Sequence, residues 1–573
     1  MKTPYKTYST LVDAGAQLDE NSPLYLDTET CGLYGKIRLV QLYQTHLDHV
    51  ILIEWPSIYE LINVLNGYHN VYHNAHYDVT VMQQQSETRV VPLKLDDTFL
   101  LARLAFPERE KFALDDVMGY CLGYDPYERQ GLDKKKLQKS KWDVLKLTED
   151  QLLYAATDVY YMPRIWNAVE TKRDTPSYKL DMHTLRRCLD FQWNGMPVDK
   201  QKLFDLYESN IQKIEEADMP INVNSWQQVR PYIGEDESDD LALARFALGG
   251  NERAAKVREV RKLRKQNSFL DKFDTMDDRI YGKFKPSARS GRLTSNDQNL
   301  QQLPRATKGV FGYTPDAGRI LIYADYAQLE LRTICAIVQC TLMEEKFREG
   351  LDLHGFTAEM LFGKDFTKAQ RQLTKTYNFN LLYGGGLDML ISILIKTADT
   401  HLPKSQADRD RKRWRSLWKE IYAWQEKGIR AFQRGRLGST PMGRQYKAKM
   451  MTDQLNIENQ GAGAEVAKLA LHYLGPTLDD NPDALLCNFI HDSFILDVED
   501  DPKVYEPIAI KLAEAMQEAW FEISKLFKVT DLPMPVDVKV GYNWGDLEND
   551  DIEDVWSFSL DPYKMLEKVS GHI

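Results

Sequence analysis

The sequence has no apolar run near the roughly 20 residues that a membrane-spanning helix needs. Its start, MKTPYKTYSTLVDAGAQLDE, has no apolar stretch of the secretory type either. Both absences argue against a membrane or exported protein and for a cytoplasmic one. Cysteine is sparse and scattered: Cys31, Cys121, Cys188, Cys335, Cys340 and Cys487 form no C-x-x-C pair. That pattern excludes a zinc site and a disulfide framework, and leaves reduced side chains. Internal repeats and long Gly/Ser linkers are missing too. Positive charge is short, with 73 Lys and Arg against 85 Asp and Glu and a net charge of −12.

What is present is ordinary globular material, 43% hydrophobic and 28% charged. The 573 residues suffice for about three or four domains. The charge is uneven. Residues 253–272 and 404–436 are rich in Lys and Arg, whereas acid concentrates in EDESDD (235–240) and GDLENDDIED (545–554). A basic groove on an acidic body still attracts phosphates, because the local field steers the ligand. Each basic run taken alone reads equally as a solvated helix face, so net charge leaves the partner open.

The first 170 residues alternate short apolar runs (PLYLDTET, RLVQLYQT, HVILIEW) with helical stretches such as TEDQLLYAATDVYYMPRIW, the pattern of an α/β domain. After a break near 171–178 the chain becomes more helical to about residue 285. Two strand signals then stand far apart, GRILIYADYAQLELR (318–332) and ALLCNFIHDSFILDV (484–498), with a helical, basic stretch between them. One sheet built from distant strands with a helical excursion is the simplest arrangement.

In LYLDTET the period of two puts Tyr25, Asp27 and Glu29 on one strand face. Two carboxylates on one face are costly without a cation, which points to a hard divalent ion such as Mg²⁺. HNAHYD adds Asp78, and LLYAATD places Tyr154 and Asp158 at i, i+4 on one helix face. Such a set is able to hold two ions that activate a water and stabilise a leaving oxygen, with the Tyr hydroxyl orienting the water. In order and spacing, D-T-E, N-x-x-x-D from Asn74 to Asp78 and Y-x-x-x-D resemble the three motifs of the DnaQ-like 3′–5′ exonucleases.

Further along, Asp325 closes an apolar strand, and His491-Asp492-Ser493 lies between two more, as a hairpin turn presenting Asp492. Two carboxylates on neighbouring strands suit a pair of Mg²⁺ ions about 3.5–4 Å apart, the arrangement for in-line phosphoryl transfer. Each segment alone also reads as an ordinary strand with a solvated acid. In AQRQLTKTYNFNLLYGGG, however, Arg371, Lys375, Phe379 and Tyr383 recur every four residues. At about 100° per residue they share one helix face, with cations suited to a triphosphate and rings suited to a base.

Together these segments resemble the family A, DNA polymerase I-like enzymes. DYAQLELR (325–332) is similar to motif A, R-x-x-x-K-x-x-x-F-x-x-x-Y-G (371–384) to motif B and HDS (491–493) to motif C. The likeness extends to SGRLTSNDQNLQQLP, LDLHGFTAEM, TPMGRQY, LNIENQGAGAEVAK and VKVGYNWGD. It implies an α/β RNase H-like exonuclease domain over 1–175, followed by an α+β right-hand polymerase domain over 176–573. The thumb is expected at about 200–290, the palm at about 291–340 and 440–573, and the fingers at about 341–439. No separate 5′-nuclease segment precedes the exonuclease, as in compact phage-type members, which implies an infected host's cytoplasm.

By the same resemblance Asp325 and Asp492, with the Tyr326 carbonyl, hold two metal ions in the polymerase site. Asp27, Glu29, Asp78 and Asp158 hold two in the exonuclease, Mg²⁺ in each case with Mn²⁺ as the alternative. His354, Arg371 and Lys375 grip the triphosphate, Lys375 also donating a proton to pyrophosphate, while Phe379 and Tyr383 pack around the incoming nucleotide. Gln328 belongs to the nucleotide site, and Glu330 bars a 2′-hydroxyl. Arg292, Asn299, Gln302, Arg444, Asn456, Gln460 and His491 match positions that touch the primer–template minor groove or backbone. The basic 253–272 segment becomes a thumb helix on duplex phosphates. Trp414, Trp418 and Trp424 read as packing residues of the fingers.

Three positions depart from the family pattern: Ser493 in place of a second acid, Asn380 in place of a glycine, and Ala327 in place of a serine. The implied function is template-directed DNA synthesis from dNTPs on primer–template DNA, with proofreading, in replication by a monomer. Replisome proteins (helicase, primase, single-strand binding protein) are implied as partners, the acidic 545–554 stretch being a candidate contact. A nuclease whose polymerase half only binds DNA, a single-subunit RNA polymerase and a non-catalytic scaffold are the competing readings. Glu330 and the exonuclease motifs oppose the second, and two separate carboxylate sets oppose the third.

Overall fold

Thr148 accepts a hydrogen bond from the Gln151 amide at 3.2 Å, and Gln151 returns one from the Thr148 amide at 3.0 Å. This capping box starts the helix Glu149–Tyr160 and sets the register of Tyr154 and Asp158 along it. The helix packs on the strands Leu24–Thr30, Ile37–Tyr43 and Val50–Glu54 of a six-stranded sheet in this computed structural model. The sheet runs Tyr5–Tyr8, Val50–Glu54, Ile37–Tyr43, Leu24–Thr30, His69–Tyr72, Lys94–Asp97. Ile37–Tyr43 is antiparallel to both its neighbours and the other pairings are parallel. The structure describes residues 2–566 apart from 90, 91, 93, 274–276, 399, 550, 551, 553 and 554.

The chain folds as two units. The first comprises Met1–Trp193 together with Phe284–Gly291 and Met442–Lys447, and the second the remainder. The inserted segments are tied into the first unit by local bonds. Ser177 donates to the Met442 carbonyl at 2.8 Å, the Lys447 amide to the Pro107 carbonyl at 3.2 Å, and the Phe191 and Phe284 rings lie 4.9 Å apart.

The second unit is built on a five-stranded antiparallel sheet in the order Leu485–Ile490, Ser493–Glu499, Arg319–Tyr326, Val536–Gly541, Trp556–Ser559. The last two strands carry only a weak signal in the sequence. VDVKV alternates as a strand should, but it is short and follows a Pro-rich loop. The helices Met451–Asp480 and Pro502–Leu526 pack against each other beside this sheet. Helices from Leu353–Phe362 to Lys419–Gln433 form the excursion. A group around Glu252–Leu270 has its own small core of Val223, Val229, Leu243, Val257 and Val260. Arg253, Lys256, Lys262, Arg264 and Lys265 of that helix are exposed.

Candidate active sites

In the first unit Asp97 accepts from the amides of Asn74 and Ala75, both at 3.0 Å. Asn74 adopts a left-handed φ of 74°, and the helix Ala75–Ser86 starts beside it. Asp78, on that helix, accepts from the Thr28 hydroxyl at 2.7 Å. Asp27 and Glu29 project from the neighbouring positions of the Leu24–Thr30 strand. With Asp158 they bring carboxylate oxygens within 4.8 Å of one another. Asp78 stands outside that close group, one of its oxygens taken by Thr28.

Burial raises the proton affinity of Asp27 and Glu29 well above the usual carboxylate range, and the charges of Asp78 and Asp158 add to it. Burial also pushes Asp78 and Asp158 up to about 7. Carboxylates that repel one another at this range need a counter-cation. Lys134, 2.6 Å from Asp115, lowers the affinity of Glu29 and Asp158 for protons without pairing with either. The Tyr127 hydroxyl donates to Asp158, and its ring lies 5.7 Å from that of Tyr154. The carboxylates open into a cleft of about 840 Å³, lined by Leu33, Phe99, Phe112, Trp142 and Lys285. Tyr127, which reaches Asp158 from a remote segment, and Lys285, which only lines the cleft, carry no signal in the sequence.

In the second unit the hairpin predicted at His491-Asp492 forms, with Ile490 opposite Ser493 and His491 at φ 59°. Asp325 lies opposite Ser493 across the next strand pair. The strand runs one residue past Asp325, to Tyr326, whose hydroxyl donates to the Met516 carbonyl at 2.7 Å. Burial, then Asp492, Asp537 and Glu548, holds Asp325 protonated well above its usual range. Burial and Glu330 push Asp492 up to about 6, against Arg292 and Lys375.

A capping box of Thr367 and Gln370 opens the helix Lys368–Leu382 that carries Arg371, Lys375 and Phe379. Tyr383, expected as the fourth member of that face, is the residue after the helix, because Gly384 turns left-handed at φ 72°. Its hydroxyl donates to Glu330, which also pairs with Arg292, while Asn459 donates to the Tyr383 hydroxyl at 3.1 Å. Arg371 bonds Asp352 at 2.6 Å, and Gln328 donates to the same carboxylate at 2.5 Å. Burial would raise Asp352, but the bond and charge of Arg371 hold it below its usual range. Lys375 is exposed.

His354 is buried, which with Lys375 and Arg371 pushes it down to about 4 against the pull of Asp352. Its tautomer follows from its neighbours. The Trp414 indole, a donor only, donates to Asn378 Oδ1 at 2.8 Å, so the Asn378 amide nitrogen donates to His354 Nδ1 at 3.0 Å. The proton of the neutral ring therefore sits on Nε2. The Phe379 ring lies 5.6 Å from that of His354.

Of the residues assigned to DNA, Arg292 and His491 line one small cavity. Asn299 caps its own loop through the Gln301 amide at 2.9 Å. Gln302 lines a cavity of about 700 Å³ with Lys262, Lys265, Phe269 and Arg305. Asn456 and Gln460 are half-buried, one turn apart on Met451–Asp480. Arg444 belongs to the first unit, where it is buried and ion-paired with buried Asp181. Trp414 and Trp418 are buried, and Trp424 is half-buried with its indole on Glu458 at 3.1 Å. Part of the acidic 545–554 stretch, at 550, 551, 553 and 554, is outside the described residues.

A model of the 3′–5′ exonuclease domain matches residues 3–173, and the DNA polymerase family A model matches residues 205–546, more than half of the chain. The chain belongs to DNA polymerase family A. This family A polymerase is 28% identical to DNA polymerase I of Aquifex aeolicus (strain VF5), over 92% of its own length and 96% of that protein's. It is 25% identical to the thermostable DNA polymerase I of Thermus aquaticus, over 57% and 42% of the two chains. Helicobacter pylori (strain J99 / ATCC 700824) DNA polymerase I gives 25%, over 71% and 48%. The family A chain thus spans nearly all of the Aquifex protein and about half of the other two. Its fold is similar to a solved structure described as "POL domain of Pol1 from M. smegmatis complex with DNA primer-template and dNTP". The TM-score is 0.76 at 18% identity, covering 95% of this chain and 100% of that one.

Two of the three departures noted in the sequence, Asn380 and Ser493, have local accounts in this family A polymerase. Asn380 is buried against Gly385, whose missing Cβ leaves room for the amide. Ser493 donates to the Ile490 carbonyl at 3.2 Å within the hairpin. No described helix is long and apolar enough to cross a membrane.

Proposed function

We propose that this polymerase extends a primer on a DNA template from deoxynucleoside triphosphates at Asp325 and Asp492. At Asp27, Glu29 and Asp158 it hydrolyses the primer's 3′ end, so that it proofreads during DNA replication. The observation that carries this reading is a pair of carboxylate groups, one in each unit, each held at raised proton affinity by burial and mutual repulsion. Such oxygen-only sets fit hard divalent cations, Mg²⁺ with Mn²⁺ as the alternative, two per site. Bound there, such ions would neutralise the carboxylates and polarise the attacking oxygen and the phosphorus for in-line displacement.

The chain's own groups do the rest. Arg371 exchanges Asp352 for the triphosphate, His354 donates from Nε2, and exposed Lys375 passes a proton to the departing pyrophosphate. Phe379 packs on the base, and Glu330 occupies the space beneath the sugar. Arg292, Asn299, Gln302, Asn456, Gln460 and His491 serve the primer–template, with the exposed cations of Glu252–Leu270 on its phosphates. Arg444 leaves that set, since its guanidinium is buried with Asp181. In the exonuclease Tyr127 fixes Asp158, and Tyr154 orients the attacking water.

A 5′-labelled primer on a longer template, with Mg²⁺ and with or without dNTPs, tests both sites on one gel. Asp492→Ala should abolish extension and keep shortening, and Asp27→Ala with Glu29→Ala should do the reverse. Shortening by the parent chain with dNTPs present, at every enzyme level, would favour a nuclease that only binds DNA.

A further inference from the structure

Asp325 sits on the middle of three neighbouring strands, antiparallel to both. It is opposite Ser493 on one side and opposite Asp537 on the other. Directly opposed residues of an antiparallel pair point to the same face, with Cβ atoms about 4.5–5.5 Å apart. One face of the sheet therefore carries a row of hydroxyl, carboxylate and carboxylate across Ser493, Asp325 and Asp537.

Besides Asp492, two carboxylates reach Asp325 electrostatically, Asp537 and Glu548. Glu548 is already compensated. Lys308 lies 2.6 and 2.7 Å from its two oxygens, and the Trp544 indole donates to it at 2.6 Å. Asp537 is exposed and makes no hydrogen bond or ion pair among the described residues. Ser493 has no charge to offer, and its hydroxyl serves the hairpin. The charge of Asp537 raises the proton affinity of buried Asp325, and a cation shared by the two would offset that repulsion.

We propose that Asp537 is a third carboxylate of the polymerase cation site, holding the hydrated ion bound at Asp325 from the flank opposite Ser493. The inference rests on the polymerase reading above. The row also predicts its own rescue. A carboxylate placed at 493 faces Asp325 across the other strand pair, so Ser493→Asp should replace Asp537.

The test uses the full chain carrying Asp27→Ala and Glu29→Ala, so that Mn²⁺ bound to the polymerase carboxylates dominates the electron paramagnetic resonance titration. Asp537→Asn should weaken Mn²⁺ binding about tenfold and raise the Mg²⁺ needed for primer extension. Adding Ser493→Asp should return most of both losses. Parent-like Mn²⁺ affinity in Asp537→Asn, or a loss that Ser493→Asp does not relieve, overturns the proposal. Asp492→Ala separates the two levels. If it keeps Mn²⁺ binding and extension, the polymerase reading itself fails. If it loses both while Asp537→Asn matches the parent, only the role of Asp537 fails.

Discussion

The Tyr383 hydroxyl donates to Glu330, joining the first residue after one helix to the first turn of another. Arg292 grips the other Glu330 oxygen, so the carboxylate is held from two sides. If Glu330 is the barrier to a 2′-hydroxyl, Tyr383→Phe should loosen it and Glu330→Ala should remove it. Ribonucleotide incorporation, measured as kcat/KM for rNTP divided by kcat/KM for dNTP, should then rise modestly in the first variant. It should rise at least about a hundredfold, roughly 2.7 kcal/mol, in the second. Unchanged discrimination in Glu330→Ala would remove this residue from sugar selection.

Asn380 and Gly385 are predicted to be energetically coupled. A Cβ at Gly385 would lie 2.4 Å from the Asn380 amide nitrogen. Gly385→Ala should cost about 1–3 kcal/mol of stability, and Asn380→Gly in the same chain should recover most of it. Thermal unfolding of the two single variants and the double variant checks this, and additive losses would contradict it.

The proton on His354 Nε2 depends on Trp414 through Asn378. Trp414→Phe frees the Asn378 amide to turn its oxygen toward His354, which would move the ring proton to Nδ1 and cost one donor to the triphosphate. The KM for dNTP should rise about threefold to tenfold, with shortening of the primer unaffected. Nitrogen-15 spectra of the imidazole should show the tautomer change, and a parent-like spectrum would refute the relay.

Cation binding should strengthen stability more at high pH than at low pH. Burial raises the folded-state affinities of Asp78 and Asp158 to about 7 and that of Asp492 to about 6. A carboxylate raised on folding contributes stability below its unfolded value near 4, and loses that contribution as pH climbs through 6 to 7. The contribution of these carboxylates to the metal-free chain should therefore fall from pH 5 to pH 8, against the opposite trend of buried His73 and His354, and Mg²⁺ should restore more at pH 8. Unfolding temperatures in EDTA and in Mg²⁺ at both values provide the measurement. An equal or smaller gain at pH 8 would count against charged carboxylates as the cation's ligands.

Much of both sites is legible in sequence wherever spacing along one element sets the geometry. Asp27 and Glu29 share a strand face, Tyr154 and Asp158 a helix face, and Arg371, Lys375 and Phe379 another. Tyr383 escapes that rule because Gly384 ends the helix before it. Partners brought from far away leave no such trace. Tyr127 reaches Asp158, Trp414 reaches Asn378, and Asp537 meets Asp325 only through strand pairing. Arg444 shows the converse: its motif resembles DNA-contacting positions, yet it lies buried against Asp181. Burial decides its partner, and burial depends on the packing of the whole unit.

The segments Phe284–Gly291 and Met442–Lys447, which complete the first unit, make the exonuclease-bearing unit non-contiguous along the sequence. A transplant of residues 1–193 alone would take Asp181 without Arg444, separating a buried carboxylate from its guanidinium at a cost of about 3–5 kcal/mol. A transplanted nuclease keeps that buried pair only if the Met442–Lys447 stretch travels with it.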